Sequence, residues 1–313
     1  MKPLFRDITL QEKFDQDGFL VLPMLSPQEI QVLSKLYEEV NPGELKRIYS
    51  NVYNRRDQKQ NRHVGKVITD LFKPHIDQIC MNHRIAGGSF LVKGVGSESA
   101  SQLHQDFNNI DEREGISLSF WVPLENVNEH NGCLQVIPSS HKFFTTVRCL
   151  TKPSLFLEFD DELEPCLQPV PMKTGEVCIY AHNLFHGSKP NNSDHNRVAV
   201  VCSVFPEDSR NIHYYQESGD GKPIEIYETD DNFYYDNFPE LIEGKRPQWY
   251  RNLGPIDFEP ESLDRKAFFR KYRQEKGIPE NTSVVIETLS EPKKMELFRW
   301  VTKNIQALIR LTQ

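Results

Sequence analysis

Between Gly88 and Phe205 the chain runs through six short segments: GSFLVKGV, SQLHQDF, ISLSFWVPL, CLQVIPS, EVCIYAH and RVAVVCSVF. Each is rich in β-branched and aromatic residues and is bounded by turn residues. No helical pattern lies between them, which points to an antiparallel sandwich or barrel. Asn131-Gly132 in EHNGC and Gly175 in MKTGE supply tight turns. The expectation is a mainly β protein with flanking helices, its core a cupin-like jelly roll covered on one side by the N-terminal part.

The first 85 or so residues read as helical. In SPQEIQVLSKLYEEV, Ser26 caps, Pro27 opens the helix, and Glu29 completes a capping box. Ile30, Leu33, Tyr37 and Val40 then recur at helical spacing. A second helix is expected between Lys66 and Met81. After Phe205 the chain turns acidic and aromatic (ESGDGKPIEIYETDDNFYYDNFPELIEG), which reads as a long loop region. Two helices are expected beyond it: SLDRKAFFRKYRQEKG, from Ser262 to Gly277, and SEPKKMELFRWVTKNIQALIRL, whose apolar stripe suits packing. The whole therefore reads as one domain, residues 1–313, with a helical part (1–85), a jelly-roll core (86–206) and a C-terminal loop and helical extension (207–313).

Composition narrows the function. At 313 residues the chain can bury a sizeable core, and its net charge of −8 disfavours non-specific binding to nucleic acid. The longest notable apolar run, VAVVCSVF, suits a buried strand rather than a membrane span. MKPLFRDITLQEKF has no apolar signal core. The six cysteines form no CxxC pair, so reduced, mostly buried thiols in a cytoplasmic protein are expected.

The chemistry concentrates in QLHQDFNN. On a strand, His104 and Asp106 point to one face and can lean onto one ion. Such a clamp needs a third ligand, and His141, His182, His186 and His195 lie downstream. His186 ends a strand-like segment just before Gly187, and Arg197 opens the next apolar strand eleven residues later. His182 would share a face with His186 but sit too far along the strand, and His195 falls in a polar turn. Two histidines and one carboxylate form the facial triad of non-haem Fe(II) oxygenases, which leaves positions open for an α-keto acid. The distal carboxylate of such a cosubstrate needs a buried cation, and Arg197 is placed to grip it.

The chain resembles the phytanoyl-CoA dioxygenase-type family of Fe(II)- and 2-oxoglutarate-dependent oxygenases. The resemblance runs from FDQDGFLVLPML (residues 14–25) to about Phe205, carried by LHQDF, FWVPLENVNEHNGCLQVIPSSHK and HGSKPNNSDHNRVAV. It implies a double-stranded β-helix core, with His104, Asp106 and His186 as both catalytic residues and iron ligands. It also implies Arg197 as the anchor of 2-oxoglutarate, with O2 as the oxidant. Ser119 and Trp121, on the face of ISLSFWVPL opposite Leu118 and Phe120, are implied to help hold the cosubstrate. Lys93 stands where the family often has a basic residue, and His141, closing PSSHK, where the family uses it structurally. In related halogenases a small residue replaces the carboxylate. Asp106 is present here, so hydroxylation of a small organic metabolite is the expected outcome, with release of succinate and CO2.

Two regions outside the core are expected to set the substrate. The stretch KRIYSNVYNRRDQKQNRHVGK, with Arg55, Arg56 and Arg62, could meet a carboxylate, a phosphate or an acidic carrier protein, although a solvated helix face or mobile loop is the favoured reading. The tyrosine-rich segment 214–238 suits a lid over the pocket mouth. The competing class is a non-catalytic jelly-roll binding or sensing protein that retains the metal site. The intact triad together with Arg197 favours the enzyme.

Overall fold

The structure is a computed structural model that describes residues 3–40, 43–51, 57–144, 147–151, 163–217, 222–261 and 264–278. Its core is a pair of antiparallel sheets. Eight strands are shared between them, the chain crossing from one sheet to the other at every step except the β6–β7 hairpin: β3 (His83–Lys93), β4 (Ser101–His104), β5 (Leu118–Pro123), β6 (Leu134–Val136), β7 (Gln168–Val170), β8 (Glu176–Ala181), β9 (His186–Ser188) and β10 (Arg197–Pro206). Strands β8, β5, β10 and β3 lie side by side in the large sheet, and β4, β9, β6 and β7 form the small one. A chain that winds back and forth between two sheets in this order is a double-stranded β-helix. Every residue of β5 is buried, and Phe90, Phe120, Ile179 and Val200 join the main apolar core. The turn signals hold. Gly132 and Gly175 both have positive φ, and a Cβ on Gly132 would meet the Lys93 side chain and the Lys189 carbonyl.

The N-terminal part is less helical than its sequence suggests. Helix α1 (Ile8–Asp17) is followed by β1 (Phe19–Pro23), which pairs with β8. Helix α2 (Pro27–Val40) is followed by β2 (Ile48–Ser50), which pairs with β3. Both strands extend the large sheet at its two edges. The capping box is formed: the Ser26 amide donates to Glu29 Oε2 at 2.7 Å, and the Glu29 amide to Ser26 Oγ at 3.3 Å. Helix α3 covers Gln58–Ile79, eight residues earlier than the Lys66 start expected. Asp57 caps it, accepting from the Gln60 amide at 2.8 Å, and the polar first turns carried no apolar period to reveal them.

The expected C-terminal loop region is instead structured. Strands β11 (Ile212–Gln216), β12 (Ile224–Glu228) and β13 (Arg251–Pro255) form a third antiparallel sheet, with α4 (Phe233–Ile242) between the last two. IHYYQ and IEIYE pair residue by residue, each too short for its period to stand out among acidic neighbours. Helix α5 (Arg265–Lys276) is capped by Asp264, which accepts from the Ala267 amide at 2.7 Å, and it ends at Gly277. Ser262, expected as the cap, and the expected final helix lie outside the described residues. All six cysteines are free, and only Cys166 is not fully buried. Among the described residues no helix is long and apolar enough to cross a membrane.

Candidate active site

The small sheet brings the predicted ligands together. His104, the last residue of β4, is the direct cross-strand partner of His186, the first residue of β9. Their rings lie 4.3 Å apart between centroids. Asp106 falls just beyond β4, so the strand geometry expected for the pair holds only at His104. Its backbone is fixed by other means: its amide donates to the His182 carbonyl at 2.8 Å, and its carbonyl accepts from Arg148 Nε at 2.6 Å. Asp106 Oδ1 then lies 3.9 Å from His104 Nε2 and 3.6 Å from His186 Nε2. One donor atom from each of the three residues lies within 4.8 Å of the other two.

The imidazoles are oriented for coordination. His104 Nδ1 sits 2.7 Å from the Gln102 carbonyl, and His186 Nδ1 sits 3.0 Å from the Leu184 carbonyl. A carbonyl oxygen only accepts, so each Nδ1 carries the proton and each Nε2 lone pair is free to face the carboxylate. Burial, and after it the neighbouring His104, pushes His186 down to about 4, which keeps it neutral. Burial raises the Asp106 carboxyl, but His186, His182, His104 and the Ser119 hydroxyl outweigh it and hold the group below its usual value. Two imidazoles presenting Nε2 and an ionised carboxylate are the donor set of a divalent iron site. Donors at about 2.0–2.2 Å from one ion lie at most roughly 4.4 Å apart, and both imidazole–carboxylate distances are inside that limit.

Arg197 opens β10 and is almost wholly buried. Its Nε and Nη1 have no hydrogen-bond partner among the described residues, and its guanidinium lies 5.1 Å over the Trp121 ring. Burial lowers it to about 10, so it stays charged at neutral pH. A buried guanidinium with idle donors is costly unless an anion completes it, and a carboxylate matches its fork. Arg197 and the triad line one cavity of about 600 Å³.

Ser119 and Trp121 line that cavity too. The Ser119 hydroxyl donates to Asp106 Oδ2 at 3.1 Å, leaving Oδ1 to the histidines. Trp121 is fully buried and floors Arg197. Lys93 is neither solvated nor in the cavity. It is buried, and its Nζ donates to the Ser99 and Lys189 carbonyls at 2.5 and 2.9 Å; burial, and after it Arg197, lowers it to about 6. Of the other histidines, His182 backs the site through its carbonyl. His195 is exposed between Glu125 and Asp194, and His141 packs against Phe14 and Gly18.

Several groups at the site gave little warning in the sequence. Tyr180 is the cross-strand partner of Ser119, and its hydroxyl meets Ser119 and Asp106. It read as one more apolar residue of a buried strand. Arg148, which holds the Asp106 carbonyl, pairs in turn with Glu112 in a buried ion pair. From the basic stretch, Arg47 reaches the cavity and pairs with Glu98 at 2.9 Å, and Arg62 pairs with Asp236 of α4 at 2.6 Å. Arg55 and Arg56 lie outside the described residues. The 214–238 segment supplies a wall of the cavity through Thr229, Asp230, Tyr234 and Phe238. This wall is docked: the Tyr235 hydroxyl accepts from the Gly88 amide and donates to the Gly88 carbonyl, both at 2.8 Å.

A double-stranded β-helix with two histidines and an aspartate converging on one point, beside a buried arginine, defines the class of protein. The chain belongs to the phytanoyl-CoA dioxygenase family, whose model matches residues 14–199. It is similar to phytanoyl-CoA dioxygenase domain-containing protein 1 of Danio rerio, at 29% identity over 152 residues, 44% of this chain and 51% of that protein. It is also similar to the dioxygenase cdmD of Talaromyces verruculosus, at 32% identity over 117 residues, 37% of this chain and 34% of that protein. The chain thus spans about half or less of the length of these curated relatives. Among solved structures it is similar to EctD from S. alaskensis with 2-oxoglutarate and 5-hydroxyectoine, with a TM-score of 0.47 and 20% identity, covering 66% of this chain and 78% of that one. HygX from Streptomyces hygroscopicus with nickel and 2-oxoglutarate bound gives a TM-score of 0.45 at 18% identity, over 62% and 85% of the two chains.

Proposed function

We propose that the protein is an Fe(II)- and 2-oxoglutarate-dependent dioxygenase that hydroxylates an unactivated carbon of a small organic metabolite, with succinate and CO2 as co-products. The observation that carries this reading is the convergence of His104, Asp106 and His186 with their donor atoms free. His104 Nε2, His186 Nε2 and Asp106 Oδ1 would hold the iron, and Arg197 the distal carboxylate of 2-oxoglutarate. Iron with 2-oxoglutarate and O2 supplies the oxidising power when bound.

The chain's own residues do the rest. The Gln102 and Leu184 carbonyls keep both ligand rings in the coordinating tautomer. Ser119 holds Oδ2 of the Asp106 carboxylate, with the Tyr180 hydroxyl beside both, so Oδ1 would face the ion. Trp121 shields Arg197 from water and keeps its charge available to the cosubstrate. The wall from residues 229–231 and α4 would enclose the substrate, which supports reading the chain as one oxygenase unit. The idle donors of Arg197, beside an intact triad, favour an active oxygenase over a binding protein with a relic site, since a carboxylate matches their fork. Anaerobic titration with Fe(II) and then 2-oxoglutarate tests the proposal. A visible charge-transfer band is expected, lost in His104→Ala, and its absence in the intact protein would refute the reading.

A further inference from the structure

The back of the small sheet rests on a helix that lies beyond the family match. That match ends at residue 199, and α5 begins at Arg265. On β4, Leu103 precedes His104, and neighbouring residues of a strand face opposite sides. Phe185 likewise comes directly before His186, the first residue of β9. Leu103 and Phe185 are buried in one apolar cluster with Ile137, Phe143 and Phe268. Phe268, on α5, is fully buried. Its ring stacks on Phe185 at 5.6 Å between centroids and meets Phe143 edge-on at 5.5 Å.

Both sides of this contact are anchored. Lys271 of α5 donates to the Phe143 carbonyl, and Glu275 pairs with Lys142 at 2.6 Å. The Phe185 amide donates to Ser140 Oγ at 2.9 Å, and its carbonyl accepts from the Ile137 amide at 2.8 Å. Those bonds hold the Phe185 backbone, and the stack holds its side chain. The carbonyls that orient the two imidazoles, of Gln102 and Leu184, are the chain neighbours of Leu103 and Phe185. A close-packed interior transmits a displacement behind these residues to the ligand atoms. A set of metal ligands works only when held to within about 0.5 Å of its geometry.

We propose that Phe268 is a positioning residue for the metal centre. Through Phe185, with Leu103 in the same cluster, it steadies the two segments that present His104 and His186, so the grip on iron depends on α5. The proposal rests on reading His104, Asp106 and His186 as iron ligands. It gives α5 a part in the centre although none of its described residues lines the cavity.

The test uses the full chain, prepared metal-free. Phe268→Leu stays apolar but loses the stack, and Phe72→Leu makes the same change in the main core, on α3. Hydrogen exchange is read by mass spectrometry at residues 101–106 and 184–188, with β5 (118–123) as the reference. In Phe268→Leu exchange at the first two is expected to speed up about threefold or more beyond any change in β5, and in Phe72→Leu to show no such excess. Titration with Co(II) is expected to show affinity weakened about fivefold or more in Phe268→Leu, short of the tenfold to hundredfold usual for a group bonded directly to a ligand. The visible band of the bound cobalt is expected to shift as well. Phe72→Leu is expected to keep both the parent's affinity and its band. Parent-like Co(II) binding by Phe268→Leu, or an equal loss in both variants, overturns the proposal. A parent protein that takes up no Co(II), while exchange responds as expected, refutes the metal-site reading and leaves the hold of Phe268 on the two segments standing.

Discussion

Arg148 Nε donates to the Asp106 carbonyl at 2.6 Å, and the same guanidinium is paired with Glu112. The Arg148 amide also donates to Asn108 Oδ1 at 2.6 Å. A residue far along the chain thus clamps the loop that carries the carboxylate ligand, at the point where β4 has ended and no ladder remains to hold it.

Loss of that clamp should loosen the ion. Arg148→Gln is expected to weaken metal binding about tenfold to a hundredfold, the usual cost of removing a group that orients a ligand. Titration with Co(II) reads the effect without turnover. Unchanged affinity would show that the loop holds its own shape.

Arg197→Met should separate cosubstrate from metal. Iron affinity is expected to stay within about twofold, while stabilisation by 2-oxoglutarate vanishes. Removing a buried charge with idle donors should also raise the melting temperature of the ligand-free protein. Equal loss of iron and 2-oxoglutarate binding would place the anchor elsewhere.

Acid should destabilise the metal-free protein through its buried histidines. Burial, followed by His104, holds His186 near 4; burial, followed by Lys142, holds His141 near 4; and burial holds His213 near 3. All three are neutral when folded but titrate at about 6.5 when unfolded. The unfolded chain therefore binds more protons, so stability falls as pH drops from about 6.5 towards 4, by on the order of 2–3 kcal/mol per histidine. Urea midpoints at pH 7 and pH 4.5 measure this, and His213→Gln should flatten the dependence. A midpoint that rises on acidification contradicts it.

Gly65 should resist replacement although it lies inside α3. Alanine favours a helix by about 1 kcal/mol. Here, however, a Cβ would come within 2.1 Å of the Tyr235 hydroxyl. Gly65→Ala is therefore expected to be less stable than the parent and to displace α4. Tyr235→Phe, which loses both bonds to Gly88, should cost about 1–3 kcal/mol. Denaturant unfolding checks both, and a stabilised Gly65→Ala would show that α4 docks elsewhere.

The sequence disclosed the core more readily than its surroundings. The short β-rich segments and the turns at Gly132 and Gly175 carry local signals that depend on backbone geometry alone. His104, Asp106, His186 and Arg197 stood out because polar residues at strand ends contrast with apolar neighbours. Tyr180 and Arg148 did not. Tyr180 sits in a run of apolar residues, and Arg148 acts through a main-chain carbonyl distant in sequence. The third sheet was missed because IHYYQ and IEIYE find their pairing only in each other. Lys93 gave no sign of its interior place, where two carbonyls satisfy it, because one of them, that of Lys189, lies far away in sequence.

His104 and His186, the proposed ligands, are each tied by Nδ1 to a carbonyl only two residues earlier. The orientation of both rings is therefore set within two short peptides, separate from the wall that residues 229–231 and α4 contribute. The proposed metal centre and the wall proposed to select the substrate can therefore be altered separately. Grafting residues 229–242 from a relative should redirect the enzyme to another skeleton while leaving its grip on iron as it was.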